Sequence, residues 1–178
     1  MNHTLVARVE DHPGVLNRVA SLFRRRAFNI KSLTVGGSEE KNYSRMTIVV
    51  DTAQTPARLV EANLRKLIPV VDVADITHMP SVSRDLALIR VRCDAKERSE
   101  IADLAGIFRG RVVDVATESV IVEVTGSEDK VDGLVELLRP RGIIELTRTG
   151  KVAMPRGVAA PNGTNGNGHV DVEARKAS

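Results

Sequence analysis

Aromatic side chains are nearly missing from this chain. Among its 178 residues only Phe23, Phe28, Tyr43 and Phe108 are aromatic, and there is no tryptophan. A packed core must therefore be built from Val, Leu, Ile and Ala, which the 42% apolar content allows. One cysteine, Cys93, excludes an internal disulfide and any multi-cysteine metal site. It reads as a small buried side chain and fits a reducing cytoplasm, where the protein is expected. The four histidines, His3, His12, His78 and His169, stand at no ligand-like spacing from one another. No Gly-x-Gly-x-x-Gly and no phosphate loop ending in Lys-Ser or Lys-Thr occurs. No apolar run approaches the roughly 18 residues of a membrane span, and the N-terminus lacks the charged start and apolar stretch of a signal peptide. The net charge is only +3, with acidic residues throughout, which argues against nucleic acid as the main partner.

What the chain does have is the stretch Val9-Glu10-Asp11-His12-Pro13-Gly14-Val15-Leu16. A strand-like run, Leu5 to Val9, enters an acidic turn, and Pro13-Gly14 opens a helix expected to run to about Arg26. The first backbone N–H groups of such a helix are free, and with the positive end of the helix dipole they attract an anion such as a carboxylate. Gly14 lets a ligand lie directly on the backbone. Asp11 could accept hydrogen bonds from an ammonium group, so the turn suits a free amino acid. The same residues also describe an ordinary strand-to-helix junction.

Taken in order, the helix after Gly14 places Val15, Val19 and Leu22 on one line and Leu16, Ala20 and Phe23 on the next. Arg24-Arg25-Arg26 at its end suits the negative end of the dipole. Phe28 to Val35 and Arg45 to Val50 read as a strand hairpin about the turn Gly36 to Asn42. A helix carrying Leu59, Val60, Leu64 and Leu67 follows Pro56, and Val70 to Ile76 reads as a strand. The order β-α-β-β-α-β then recurs about 80 residues on, from Leu86 to Thr147. The expected fold is α+β: two ferredoxin-like units, residues 1–78 and 84–157, joined by a linker at 79–83 and followed by a disordered tail at 158–178. The free face of the first sheet should carry Val6, Arg8, Thr47 and Val49, or the opposite set if the register is shifted by one, and a mostly apolar face suggests cover by a partner subunit.

RNA-recognition domains share this topology but stack bases on aromatics in the two central strands. Here Leu5 to Val9 and Arg45 to Val50 contain none. With no nucleophile–base arrangement in view, the chain reads as a binding module without an activity of its own. Its best site is the turn from Asp11 to Leu16 together with Asn29 and Ile30. In this topology those two segments lie at opposite ends of the first helix. Two subunits side by side could bring them to one ligand, so dimerisation is part of the expectation.

The segments Glu10-Asp11-His12-Pro13-Gly14-Val15-Leu16, Phe28-Asn29-Ile30-x-Ser32-Leu33-Thr34-Val35 and Ser44-Arg45-Met46-Thr47-Ile48-Val49-Val50 closely resemble the small, regulatory subunits of acetolactate synthase. The likeness continues through Val82-Ser83-Arg84-Asp85-Leu86 and Ile107-Phe108-Arg109-Gly110-x-Val112-Val113-Asp114-Val115, and covers nearly everything but the tail. The Pro-Gly turn alone would indicate only the broader ACT family of amino-acid sensors. Asn-Ile-x-Ser-Leu with Ser-Arg-Met-Thr is much more specific.

The resemblance implies that residues 1–78 form an ACT domain that pairs with its copy and binds a branched-chain amino acid, usually valine, at the interface. It implies a separate catalytic large subunit carrying thiamine diphosphate, magnesium and FAD, which this chain activates and places under end-product inhibition. Asp11, Gly14, Val15, Leu16, Asn29 and Ile30 become the effector site. Amides around Gly14 to Leu16, or those at Asn29 and Ile30, would hold the carboxylate; Asp11 and Asn29 would orient the ammonium, and Leu16 and Ile30 would shape the pocket. The family commonly has Gly where this chain has Ala27. The alternative is a stand-alone amino-acid sensor that regulates a different partner.

Overall fold

The first helix shows how local patterning sets the architecture in the computed structural model, which describes residues 2–51 and 56–157. Helix α1 (Val15–Arg25) buries Val15, Val19, Leu22 and Phe23 against a sheet and turns Arg24 and Arg25 out at its last turn. It ends in a left-handed cap. The Phe28 amide donates to the Phe23 carbonyl (2.9 Å) and the Ala27 amide to that of Arg24 (3.2 Å), while the rings of Phe23 and Phe28 meet edge to face at 5.8 Å. The residue at the crux is Ala27, with φ at 54°. A side chain there meets the steric cost that glycine escapes. Ala27→Gly is expected to stabilise the first domain by about 1 kcal/mol, read as a higher urea midpoint with an unchanged slope.

Around α1 stand β1 (Asn2–Glu10), β2 (Asn29–Gly37), β3 (Tyr43–Asp51), α2 (Ala57–Leu64) and β4 (Val70–Asp75). The second unit comprises β5 (Ser81–Arg92), α3 (Arg98–Ile107), β6 (Arg111–Val115), β7 (Ser119–Gly126), α4 (Glu128–Leu138) and β8 (Ile143–Arg148), with β9 (Val152–Pro155) after it. The sheet orders are β2-β3-β1-β4 and β6-β7-β5-β8, antiparallel throughout. This is the expected pair of α+β ferredoxin-like units. Each has its own aliphatic core: Leu5, Ala7, Val9, Met46, Ile48, Val50 and Val73 under α1 and α2, and Ala87, Ile89, Val91, Val120, Val122 and Val124 under α3 and α4. Cys93 is free and buried in the second core. No helix among the described residues is long and apolar enough to cross a membrane.

Two expectations need correction. Residues 81–83, read as part of a linker, begin the twelve-residue strand β5. Their hydrogen-bonding partner is β9, unforeseen in the sequence: Ser81, Val82, Ser83 and Arg84 lie opposite Pro155, Met154, Ala153 and Val152. The free face of the first sheet does carry Val6, Arg8, Thr47 and Val49, but it is this chain's own β9 that lies on part of it. Ala153 packs with Val6 and Ile76, and its amide points to Thr47 Oγ1 at 3.4 Å. With both faces covered, β1 is buried continuously from Thr4 to Ala7 instead of alternating. Thr55, a possible cap for the helix that follows Pro56, and the tail, 158–178, lie outside the described residues.

Candidate functional site

The turn between β1 and α1 is fastened on both sides. Its Glu10 amide donates to the Pro69 carbonyl (2.9 Å), and its Asp11 amide to that of Asn42 (2.7 Å) in the β2–β3 loop. His12 folds back so that Nε2 meets Glu10 Oε2 at 3.1 Å. Gly14 caps the helix at φ 91° and ψ −10°, and no side chain bonds to the helix start. A Cβ built on Gly14 would meet nothing within 4 Å, so the space before the helix is open. The Val15 amide is occupied by the His12 carbonyl at 3.4 Å. Those of Leu16 and Asn17 have no hydrogen-bond partner among the described residues, and the next, Arg18, donates to Gly14 (3.0 Å). Two oriented N–H groups and the dipole end thus face solvent, with the exposed carboxyl-bearing side chain of Asp11 on the same turn.

The six expected residues divide into two places. Asp11, Gly14 and Leu16 are exposed at this turn, Leu16 by 47%, whereas Val15 turns its side chain into the core and can offer only backbone. Asn29 and Ile30 open β2. Asn29 is exposed opposite Asp51, and Ile30 is half-buried against the core opposite Val50. Asp51 in turn faces Asn2, at the start of β1, while Glu10 at its other end leads into the turn. Nine strand residues separate the two places, about 27 Å at the usual rise. One subunit cannot bring them to one small ligand. Strand β2 is the outermost of its sheet, with an open hydrogen-bonding edge among the described residues.

Beside Ile30 the sequence reading missed a seam between the domains. A bulge at Lys31 carries β2 on to Ser32, whose Oγ accepts the Lys151 amide at 3.1 Å. Thr34 Oγ1 donates to the Thr149 carbonyl at 3.1 Å. Gly150 sits between them at φ 81°, and a Cβ there would collide with Ser32 Oγ. A cavity of about 400 Å³ opens along this seam, lined by Lys31, Ser32, Asp85, Arg148 and Lys151 among others. The only sequence signal was that Ser32 and Thr34 are polar on a strand face otherwise expected to be apolar. Among the described residues no group of three or more His, Cys, Asp or Glu could hold a metal.

Comparison with known proteins matches both units. Residues 5–72 fit the family described as the AHAS small subunit-like ACT domain, and residues 84–157 that described as the small subunit of acetolactate synthase. A probable acetolactate synthase small subunit of Archaeoglobus fulgidus is 54% identical over 157 residues, covering 88% of this chain and 98% of that relative. The acetolactate synthase small subunit of Mycolicibacterium smegmatis is 48% identical over 161 residues, covering 89% and 95%. The crystal structure of the acetolactate synthase small subunit from Thermotoga maritima superimposes with a TM-score of 0.83 at 41% identity, covering 89% of this chain and 99% of that one.

Proposed function

The chain belongs to the family of acetolactate synthase small subunits, and from that membership we propose that it is a non-catalytic regulatory subunit that activates a catalytic large subunit and confers feedback inhibition by valine. The family name itself implies a large subunit as partner. The thiamine diphosphate, magnesium and FAD of the reaction belong to that partner. Two pyruvates, or pyruvate and 2-oxobutyrate, are joined there, in the shared first step towards the branched-chain amino acids, a cytoplasmic pathway.

The observation that carries the effector site is the open helix start: the unpaired amides of Leu16 and Asn17 beyond a left-handed glycine. These receive the effector carboxylate, and Asp11 receives its ammonium. The other half of the pocket, Asn29 and Ile30, comes from a second copy of the chain, which joins along the open edge of β2 and against α1. This arrangement answers the separation of the two half-sites within one subunit. The ACT domain then spans residues 1–78 and the second regulatory domain 84–157. Inhibition requires that valine bind one state of the holoenzyme better than another.

Reconstitution tests the reading. Adding this chain to its purified catalytic subunit is expected to raise the rate of acetolactate formation. Valine, titrated beside leucine and isoleucine, is expected to reverse that rise at the lowest concentration. A rate unchanged by the added chain refutes the activating role, and a rate insensitive to all three amino acids refutes the effector site.

A further inference from the structure

The seam beside the second half-site exists because β2 is one residue too long for its partner. Ile30 lies opposite Val50 and Ser32 opposite Val49, so Lys31 is extra. In a regular strand Ser32 would share the face of Ile30 and point into the core. The extra residue turns it over. Ser32 and Thr34 then stand on the free face, opposite Val49 and Thr47, while Leu33 packs on the core opposite Ile48. There the second domain meets them. The Lys151 amide donates to Ser32 Oγ, and Thr34 Oγ1 donates to the Thr149 carbonyl, both at 3.1 Å. Gly150 makes this approach possible, since its missing Cβ leaves the room that Ser32 Oγ fills. Lys31 itself returns to the half-site: its Nζ lies 3.5 Å from Oδ2 of Asp51, the residue opposite Asn29.

The segment 149–151 is anchored on its other side to the interior of the second domain. The Thr149 amide donates to the Leu86 carbonyl at 3.0 Å, and its hydroxyl accepts from the Leu86 amide at 3.2 Å. Arg148, just before it, reaches the buried Asp85 on β5 and Asp132 on α4. Lys151 Nζ lies 3.7 Å from Glu128, the first residue of α4. Strand β2, by contrast, is the outermost of its sheet, and β3 is its only sheet partner among the described residues. An edge strand bonded on one side yields more readily than a central one, so its position depends on whatever else holds it. Here that is the second domain. Asn29 and Ile30 run directly into the bulge, so a shift of Ser32 is also a shift of the half-site.

We propose that Ser32, Thr34 and Gly150 are positioning residues of the effector site: they fix the start of β2 against the second domain, and through the same contacts effector binding reaches that domain. The inference rests on the effector site read above, and the coupling runs equally in both directions. It is tested on the full chain with valine as the probe, by calorimetry and by hydrogen exchange. Wild type must first bind valine; if it does not, the effector site itself fails, and this proposal with it. In wild type, valine is expected to slow exchange of the Lys151 amide as well as that of β2. Ser32→Ala with Thr34→Val removes both side-chain partners. It should lower valine affinity about fivefold or more, and valine should no longer slow the Lys151 amide. Gly150→Ala leaves the sequence of β2 intact but drives its Cβ onto Ser32 Oγ, and it should lower affinity by about as much. Ser32→Ala gives that Cβ room, so the two together should lose less than the product of the two single losses. A purely structural seam would lower the urea midpoint of these variants and leave their valine affinity at the wild-type value, and that result overturns the proposal. So does valine binding to wild type with no change of exchange at residues 149–151.

Discussion

Gly14→Asp is expected to abolish inhibition by valine while leaving activation of the catalytic subunit intact. Two costs combine at this position. The backbone stands at φ 91°, so any L side chain pays about 1–2 kcal/mol of strain there. That strain falls on an exposed helix start. The larger cost is electrostatic. A Cβ on Gly14 has open space around it, with nothing within 4 Å, so the new carboxylate enters the fold without a clash and sits in front of the Leu16 and Asn17 amides. There it plays the part of the effector's own carboxylate and repels it. Like charges placed together at a binding surface cost several kcal/mol, so valine affinity is expected to fall about a hundredfold or more. Gly14→Ala separates the two effects, because it keeps the strain and adds no charge. It should weaken binding by no more than about tenfold. Calorimetry on the isolated chain and inhibition curves on the reconstituted enzyme read both. Wild-type affinity in Gly14→Asp would place the effector elsewhere.

That turn was legible from the sequence because its physics is local. Pro-Gly before an apolar 3.6-residue repeat predicts a helix start, and Val15, Val19, Leu22 and Phe23 are the residues α1 buries. The alternation of β1 and β3 likewise predicts which side chains leave the core, Arg8 and Arg45 among them. What the pattern does not contain is pairing at a distance. Val152-Ala153-Met154-Pro155 is too short to read as a strand and ends in proline, and its partner Ser81-Val82-Ser83-Arg84 has the composition of a loop. Only their mutual hydrogen bonding makes either extended. For the same reason the bonds from the Thr149–Lys151 segment to Ser32 and Thr34 were out of reach, although both polar positions were in plain view. Ala27 is an intermediate case. Glycine is expected there only through the family resemblance, and the left-handed φ that gives alanine a cost is visible only in the fold.

Where β5 turns from pairing with β9 to pairing with β7 and β8, it carries a buried acid, and Arg148→Leu is expected to cost about 3 kcal/mol by stranding it. Asp85 is 6% exposed. Its Oδ2 accepts from Arg148 Nε at 3.0 Å and Nη2 at 2.5 Å, and its Oδ1 from Thr149 Oγ1 at the long distance of 3.3 Å. Arg148 also reaches Asp132 on α4 at 2.6 Å. Burial works against the arginine's charge, but its hydrogen bonds to Asp85 and Asp132 outweigh this and hold its pKa above the ordinary value. Without the guanidinium, Asp85 keeps one weak side-chain donor, and a buried carboxylate is left without the partner that offsets its desolvation. Asp85→Leu combined with Arg148→Leu removes the stranded charge and should recover much of the loss, since a buried pair exchanged for apolar residues is often neutral. Urea denaturation of the two single variants and the double variant measures the coupling. The loss should also reach the domain seam. Thr149, the next residue, donates to Asp85 and accepts from Thr34, so the Lys151 and Ala153 amides are expected to exchange hydrogen faster in Arg148→Leu than in wild type. Equal stability of Arg148→Leu and wild type at neutral pH would mean that Asp85 is reached by water and that β5 turns between its partners without this clamp.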